Sequence, residues 1–130
     1  MDEDIKKIHE FHLSGLGCAQ VMVAMGLWKL GEENKRLLDA ARGLCFGCYC
    51  NSTCGALIGG FLLLSMYDPE EAASYMIPEL ASWFAYEFKN MDCPDLLENN
   101  PANKPFTCPP LIEKTYLKVK ELLREAGYDL

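Results

Sequence analysis

A chain of 130 residues, half of them hydrophobic, is long enough to bury one core and reads as a single domain over residues 1–130. Its formal charge of -7 leaves no broad basic surface for a phosphate backbone, which argues against nucleic acid as a partner. The longest apolar run, Ala56 to Met66, is about half of the roughly 20 residues that a membrane span needs, and it reads as a buried helix rather than a bilayer crossing.

The first residues, MDEDIKKIHEFHL, are acidic and amphipathic and have neither the basic start nor the apolar centre of a secretion signal. A cytoplasmic protein is expected. Its seven cysteines are an odd number without an export signal, which points to reduced thiols, metal ligands or redox chemistry rather than a structural disulfide framework.

Helical periodicity runs along almost the whole chain, and no segment alternates as a strand would. A short helix is predicted over residues 2–13. A second, over about 17–30, sets Cys18, Val21, Met22, Met25 and Trp28 on one apolar face. A third segment begins near Glu32 and aligns Leu37, Leu38, Ala41 and Leu44. Next comes CFGCYCNSTCGALIGG, residues 45–60, where four cysteines fall within ten positions and lead into the most apolar helix, with Cys54, Leu57, Ile58, Phe61 and Leu62. Gly55 and Gly59 share one face of it, and their missing side chains let another helix or a cofactor approach the backbone.

Asp68 and Pro69 form an N-cap followed by proline at the first helical position, so a new helix starts there. Pro78 removes a ladder bond, and a break is expected just before it, with Trp83, Phe84 and Phe88 packing beyond. NNPANKP, residues 99–105, reads as a loop. Leu111, Ile112, Thr115, Val119, Leu122 and Leu123 then share a face of the last helix, which Gly127 ends. The sum is an all-α, compact single-domain bundle of five to seven helices.

Cys18, Cys54, Cys93 and Cys108 each stand at or beside a predicted helix start, where free N–H groups and the helix dipole favour a thiolate. At least three helix N-termini are therefore expected to meet at one cysteine site. Holding a thiol ionised at pH 7 costs about 2 kcal/mol, of which one helix end returns about 0.3–1. One activated cysteine needs nothing more. Four thiolates together need added positive charge, as a metal ion or iron–sulfur core would supply.

GCAQ at residues 17–20, CGALIGG at 54–60, Cys93 before a short helix and Cys108 before the last one resemble the C-GCAxxG-C-C family of redox-active proteins. The likeness runs from about residue 14 to 123. It implies a small helical protein in which Cys18, Cys54, Cys93 and Cys108 are the functional set, in redox chemistry or metal binding, as an accessory to oxidoreductases or transporters. Related electron-transfer proteins point to an iron–sulfur cluster. Cys45, Cys48 and Cys50 depart from the family pattern. Their C-x-x-C-x-C-x-x-x-C spacing through Cys54 is neither a bacterial ferredoxin run nor a pair of zinc knuckles, though it adds soft ligands within reach of one metal.

Simpler readings compete at several positions. Cys18 on an apolar face suits a small buried hydrophobe, and Cys45, Cys48 and Cys50 suit packed or idle thiols. His9 and His12 are three apart on the first helix with nothing else around them to suggest a metal. Met22, Met25, Met66 and Met76 follow the apolar stripes, and Glu32, Glu33, Glu70 and Glu71 suit first turns of helices. No P-loop, dinucleotide fingerprint or zinc-protease motif occurs.

Three functions remain. They are an electron-transfer module with an iron–sulfur centre on Cys18, Cys54, Cys93 and Cys108; a metal-free thiol–disulfide protein, with Cys45 and Cys48 as a further candidate pair; and a structural zinc protein. Trp28, Trp83, Phe84, Tyr86 and Phe88 exceed what a small core covers, so a homodimer or a docked oxidoreductase partner is expected.

Overall fold

Residues 2–130 are described by a computed structural model; Met1, the first residue of the expected domain, lies outside them. Eight α-helices occur among these residues: α1 Glu3–Leu13, α2 Cys18–Leu30, α3 Lys35–Ala40, α4 Gly55–Tyr67, α5 Pro69–Glu71, α6 Ile77–Phe88, α7 Cys93–Leu96 and α8 Lys104–Glu125. The all-α expectation holds, but the count exceeds five to seven. The surplus comes from α5 and α7, which are a single turn each.

Helices α2 and α4 make the most extensive contact and form the centre. The predicted one-sided burial of α2 is too modest, because every residue from Cys18 to Leu27 is buried. A helix that is apolar all round belongs inside, and α1, α3, α4 and α8 supply the cover. Close approach of α2 and α4 depends on small residues. A Cβ on Gly59 would stand 2.8 Å from Met22 Cβ and 2.9 Å from Ala19 Cα, so the glycine face of α4 receives a helix. Helix α2 ends at Gly31, whose φ of 68° gives the left-handed turn that stops it.

The third segment starts later than Glu32. Asn34 is the N-cap, its side chain accepting from the Leu37 amide at 3.0 Å, and after α3 the backbone tightens into a 3₁₀ turn over Ala41–Leu44. Asp68 caps α5 through the Glu71 amide at 3.1 Å. The disruption foreseen before Pro78 is a π-turn over Ala72–Met76 that runs directly into α6. Widening the ladder makes room for the proline ring without ending the helix. Phe84 is buried, Trp83 and Phe88 stack edge-on against it, and Tyr86 is the ring of that group left exposed.

The largest departure lies at the start of α8. The loop foreseen over 99–105 is shorter, since Pro101–Asn103 form a 3₁₀ turn and α8 begins at Lys104. Cys108 therefore sits in the second turn of α8 rather than at its N-terminus. Pro109 and Pro110, read as a starting signal, are inside the helix, where each lacks the N–H that the ladder would use. No helix is long and apolar enough to cross a membrane among the described residues.

Candidate functional site

The N-termini of α2, α4 and α7 converge, and the start of α8 closes over them. Cys18 is the first residue of α2, Cys54 the N-cap of α4 and Cys93 the first residue of α7. Backbone bonds hold the last two side by side: Cys54 N–H donates to Met91 O at 2.7 Å and Cys93 N–H to Ser52 O at 2.8 Å, with Thr53 and Asp92 paired as an isolated antiparallel bridge. Glycines allow the approach. A Cβ on Gly17 would stand 2.5 Å from Cys45 Sγ, and one on Gly47 would stand 2.9 Å from Cys93 Cβ.

Cys45 is the one of the three extra cysteines that joins the site. Its sulfur lies against Gly17 at the N-terminus of α2, near the amides of Gln20 and Ala19. Cys18 stands beside Cys45, since a Cβ on Gly55 would meet both Cys18 Sγ and Cys45 Cα. The neighbouring Cys18 thiol, outweighing burial, together with the two amides and nearby Arg42, lowers the Cys45 pKa to about 6. The neighbouring Cys45 and burial raise that of Cys18, which the Phe46 amide only partly offsets. The two thiols titrate as a pair, with Cys45 the sulfur favoured to ionise and Cys18 the one favoured to keep its proton. In its protonated form the Cys45 thiol has Ala41 O at 3.7 Å to donate to. The arrangement is braced by Gln20, whose Oε1 accepts from Gly17 N–H at 3.1 Å while its Nε2 donates to Leu38 O at 3.1 Å.

Cys54, Cys93 and Cys108 form the other half of the site. Burial pushes the Cys54 thiol up to about 12, although the Leu57 and Ala56 amides point at its sulfur, and Cys108 and Cys93 are close enough to raise it further. Burial also raises Cys93 and Cys108, against the opposing pull of Lys104. Cys18 feels Cys54 in the same way, which links the two halves. The four cysteines singled out by the family pattern are therefore brought together, and Cys45 joins them.

Cys48 and Cys50 turn away. Phe46, Gly47, Cys48 and Tyr49 have φ of 53°, 68°, 59° and 56°, four successive left-handed residues, and Asn51 adds a fifth at 57°. This coil leaves Cys50 exposed and Cys48 half-buried. Burial, then the neighbouring Cys50 and Cys45, raise Cys48. Cys45 finds its partner in Cys18, across the fold, rather than in Cys48 three residues on.

Arg42 and Lys104 were not foreseen as site residues. A signal existed for both: Arg42 stands one turn before Cys45, and Lys104 stands four residues before Cys108 on α8. His9 and His12 line the same cleft as Cys18, Cys45 and Cys108, and His9 Nε2 is 2.7 Å from Glu113 Oε1. In the present side-chain arrangement no three Cys, His, Asp or Glu among the described residues are grouped to hold one metal ion.

A family model described as "Putative redox-active protein (C_GCAxxG_C_C)" matches residues 16–122, which includes the five converging cysteines. Neither the curated proteins nor the solved structures provide a match.

Proposed function

The chain belongs to the C_GCAxxG_C_C family, and on that premise we propose that its redox chemistry is carried by Cys18 and Cys45 as a dithiol that cycles with a disulfide. The single observation behind this reading is the juxtaposition of the two residues, since a Cβ on Gly55 would meet both Cys18 Sγ and Cys45 Cα, and the pKa directions agree with it, Cys45 lowered and Cys18 raised. Thiol–disulfide exchange needs a thiolate and a second thiol within reach, and its rate falls when the attacking sulfur is either protonated or too weakly basic. Cys18 carries the proton and Cys45 is the base beside it that takes it up, so the attacking sulfur is bared as it reacts. Cys18 is 8% exposed and Cys45 is 0% exposed, so Cys18 meets the substrate disulfide and Cys45 acts from behind.

The steps balance. As the Cys18 sulfur attacks one sulfur of a disulfide, its proton passes to the Cys45 thiolate, and one thiolate leaves. Cys45 then loses that proton to the departing thiolate, attacks Cys18 Sγ and releases the second thiolate. Two electrons pass from the protein pair to the substrate. A second dithiol, from a reductant or an oxidoreductase partner, returns them.

Thiol counting and peptide mapping test the reading. Mild oxidation of the reduced protein should lower its free thiols from seven to five and yield a Cys18–Cys45 disulfide. Cys18→Ser and Cys45→Ser should each prevent it, while Cys50→Ser should not. A disulfide confined to other cysteines would sink the assignment.

The second reading is an iron–sulfur centre on Cys18, Cys54, Cys93 and Cys108, supported by the convergence of these four at one place. As now oriented they do not make a ligand set, so binding would require the thiols to reorient. Reconstitution with iron and sulfide without oxygen separates the two readings. Charge-transfer absorbance that Cys54→Ser removes would favour the cluster.

A further inference from the structure

A cleft of about 800 Å³ opens directly over Cys18, Cys45 and Cys108, between α1, the start of α2, the left-handed coil and the first turns of α8. Its volume lies in the range of small-molecule sites. The chain carries 19 acidic against 12 basic residues, yet none of the described residues lining the cleft is acidic. Arg42 and Lys104 stand on its walls, and neither has a carboxylate partner within ion-pair distance among the described residues. Lys104 Nζ instead lies 4.2 Å from the Phe46 ring centroid. Of the two histidines there, His9 has its Nε2 2.7 Å from Glu113 Oε1, and His12 is the other. Two cations without a carboxylate, beside a thiol pair that carries at most one negative charge between them, leave this cleft positive in a protein with a charge of -7 and favour an anion from outside. Phe46, Tyr49 and Leu16 give the rest of the lining an apolar character.

We propose that this cleft binds a small organic disulfide bearing carboxylates, and that Arg42 and Lys104 select it by charge. The inference rests on the dithiol reading above and names its substrate class. In the exchange the disulfide bond of the bound molecule breaks, its two sulfurs leave as one thiol and one thiolate, and the Cys18–Cys45 bond forms with the two electrons donated. The carboxylates remain on the cations and hold the scissile bond against Cys18.

Three disulfides of matched size provide the test: dithiodiglycolate, a dianion; 2-hydroxyethyl disulfide, neutral; and cystamine, a dication. Reduced full-length protein is mixed with each at low ionic strength, and the loss of Cys18 and Cys45 thiols is timed, with rates normalised to those of a small unstructured thiol. The dianion should react at least about tenfold faster than the dication, and added salt should compress the ratio. In Arg42→Gln/Lys104→Gln the ratio should collapse toward one. Arg42 also supports the Cys45 thiolate, so the variant slows all three reagents, but that effect cancels in the ratio. Equal normalised rates in the wild type, or a preference that survives the double substitution, would overturn the inference and leave the dithiol reading standing. Failure of all three disulfides and of diamide to join Cys18 to Cys45 would remove both.

Discussion

Cys18 Sγ occupies the space where a side chain on Gly55 would begin, so the second residue of the CGAxxG element is fixed by the thiol facing it. A Cβ at Gly55 would also stand 2.8 Å from Leu44 O and 3.1 Å from Cys45 Cα, and backbone atoms cannot swing aside as a flexible side-chain tip can. Gly55→Ala should therefore destabilise the protein by about 1–3 kcal/mol through overpacking. The measurement is the urea midpoint at unchanged slope. Gly43→Ala, with nothing within 4 Å of its added methyl, serves as the control and should shift stability by less than about 0.5 kcal/mol. Equal effects at the two glycines would refute the packing argument.

The charge on Cys45 makes stability depend on pH with a definite sign. Its folded pKa of about 6 lies below the unfolded value, about 8.5, so its contribution is complete above pH 8.5 and is lost as pH falls through 6. Cys54, pushed up to about 12, and Cys18, also raised, act on the other side: unfolding lets them ionise above pH 8.5, so stability falls as pH rises beyond it. Urea midpoints should climb from pH 6 to about 8.5 and then decline. Cys45→Ser should flatten the rising part, and the thiolate absorbance that titrates near pH 6 should disappear with it. A first thiolate transition near pH 8.5 in the wild type would contradict the assigned charge.

Away from the thiols, Asp4 joins three helices. Its buried carboxylate accepts from Lys29 Nζ at 2.7 Å, Lys120 Nζ at 2.7 Å and Tyr116 OH at 3.0 Å. Burial raises its pKa, but Lys120, Lys29 and Tyr116 together outweigh that and leave it lowered. Removing the shared acceptor should cost about 3–5 kcal/mol, the range for breaking a buried pair. The stability it gives is present above its ordinary value of 3.8 and is lost as pH falls below it. Asp4→Ala should lower the urea midpoint at pH 7 and weaken its fall in acid. A near-neutral effect at pH 7 would show that the lysines find adequate partners elsewhere.

Periodicity was sufficient to place α1 and α2 within a residue, and the start of α4 at Cys54, because each has its apolar residues or caps written locally. The glycine face of α4 was also legible, since Gly55 and Gly59 are four apart. What escaped were relations between distant segments. Cys45 reaches the amides of α2 only because Gly17 has no side chain and the 3₁₀ turn over Ala41–Leu44 aims it there. Local sequence carries no trace of that meeting. Cys108 was misplaced for another reason: Pro109-Pro110 is the usual mark of a helix start, and here Pro105, four residues before Pro109, has already taken that position.

The coil at residues 46–49 tests whether Cys48 belongs to the reacting set. A left-handed residue other than glycine costs about 1–2 kcal/mol, and Cys48, at φ 59°, has no hydrogen bond from its thiol among the described residues to repay it. Glycine removes that strain and returns part of the gain to the unfolded chain, whose freedom it increases. Cys48→Gly should therefore stabilise the protein by about 0.5–1 kcal/mol. With the pair at Cys18 and Cys45 intact, mild oxidation should still consume two thiols, taking the variant from six to four. If Cys48 served a cluster, the same substitution would instead lower iron retention after reconstitution and alter its absorbance. Loss of the reversible disulfide in Cys48→Gly, with Cys18 and Cys45 still reduced, would return Cys48 to the reacting pair and overturn the assignment made here.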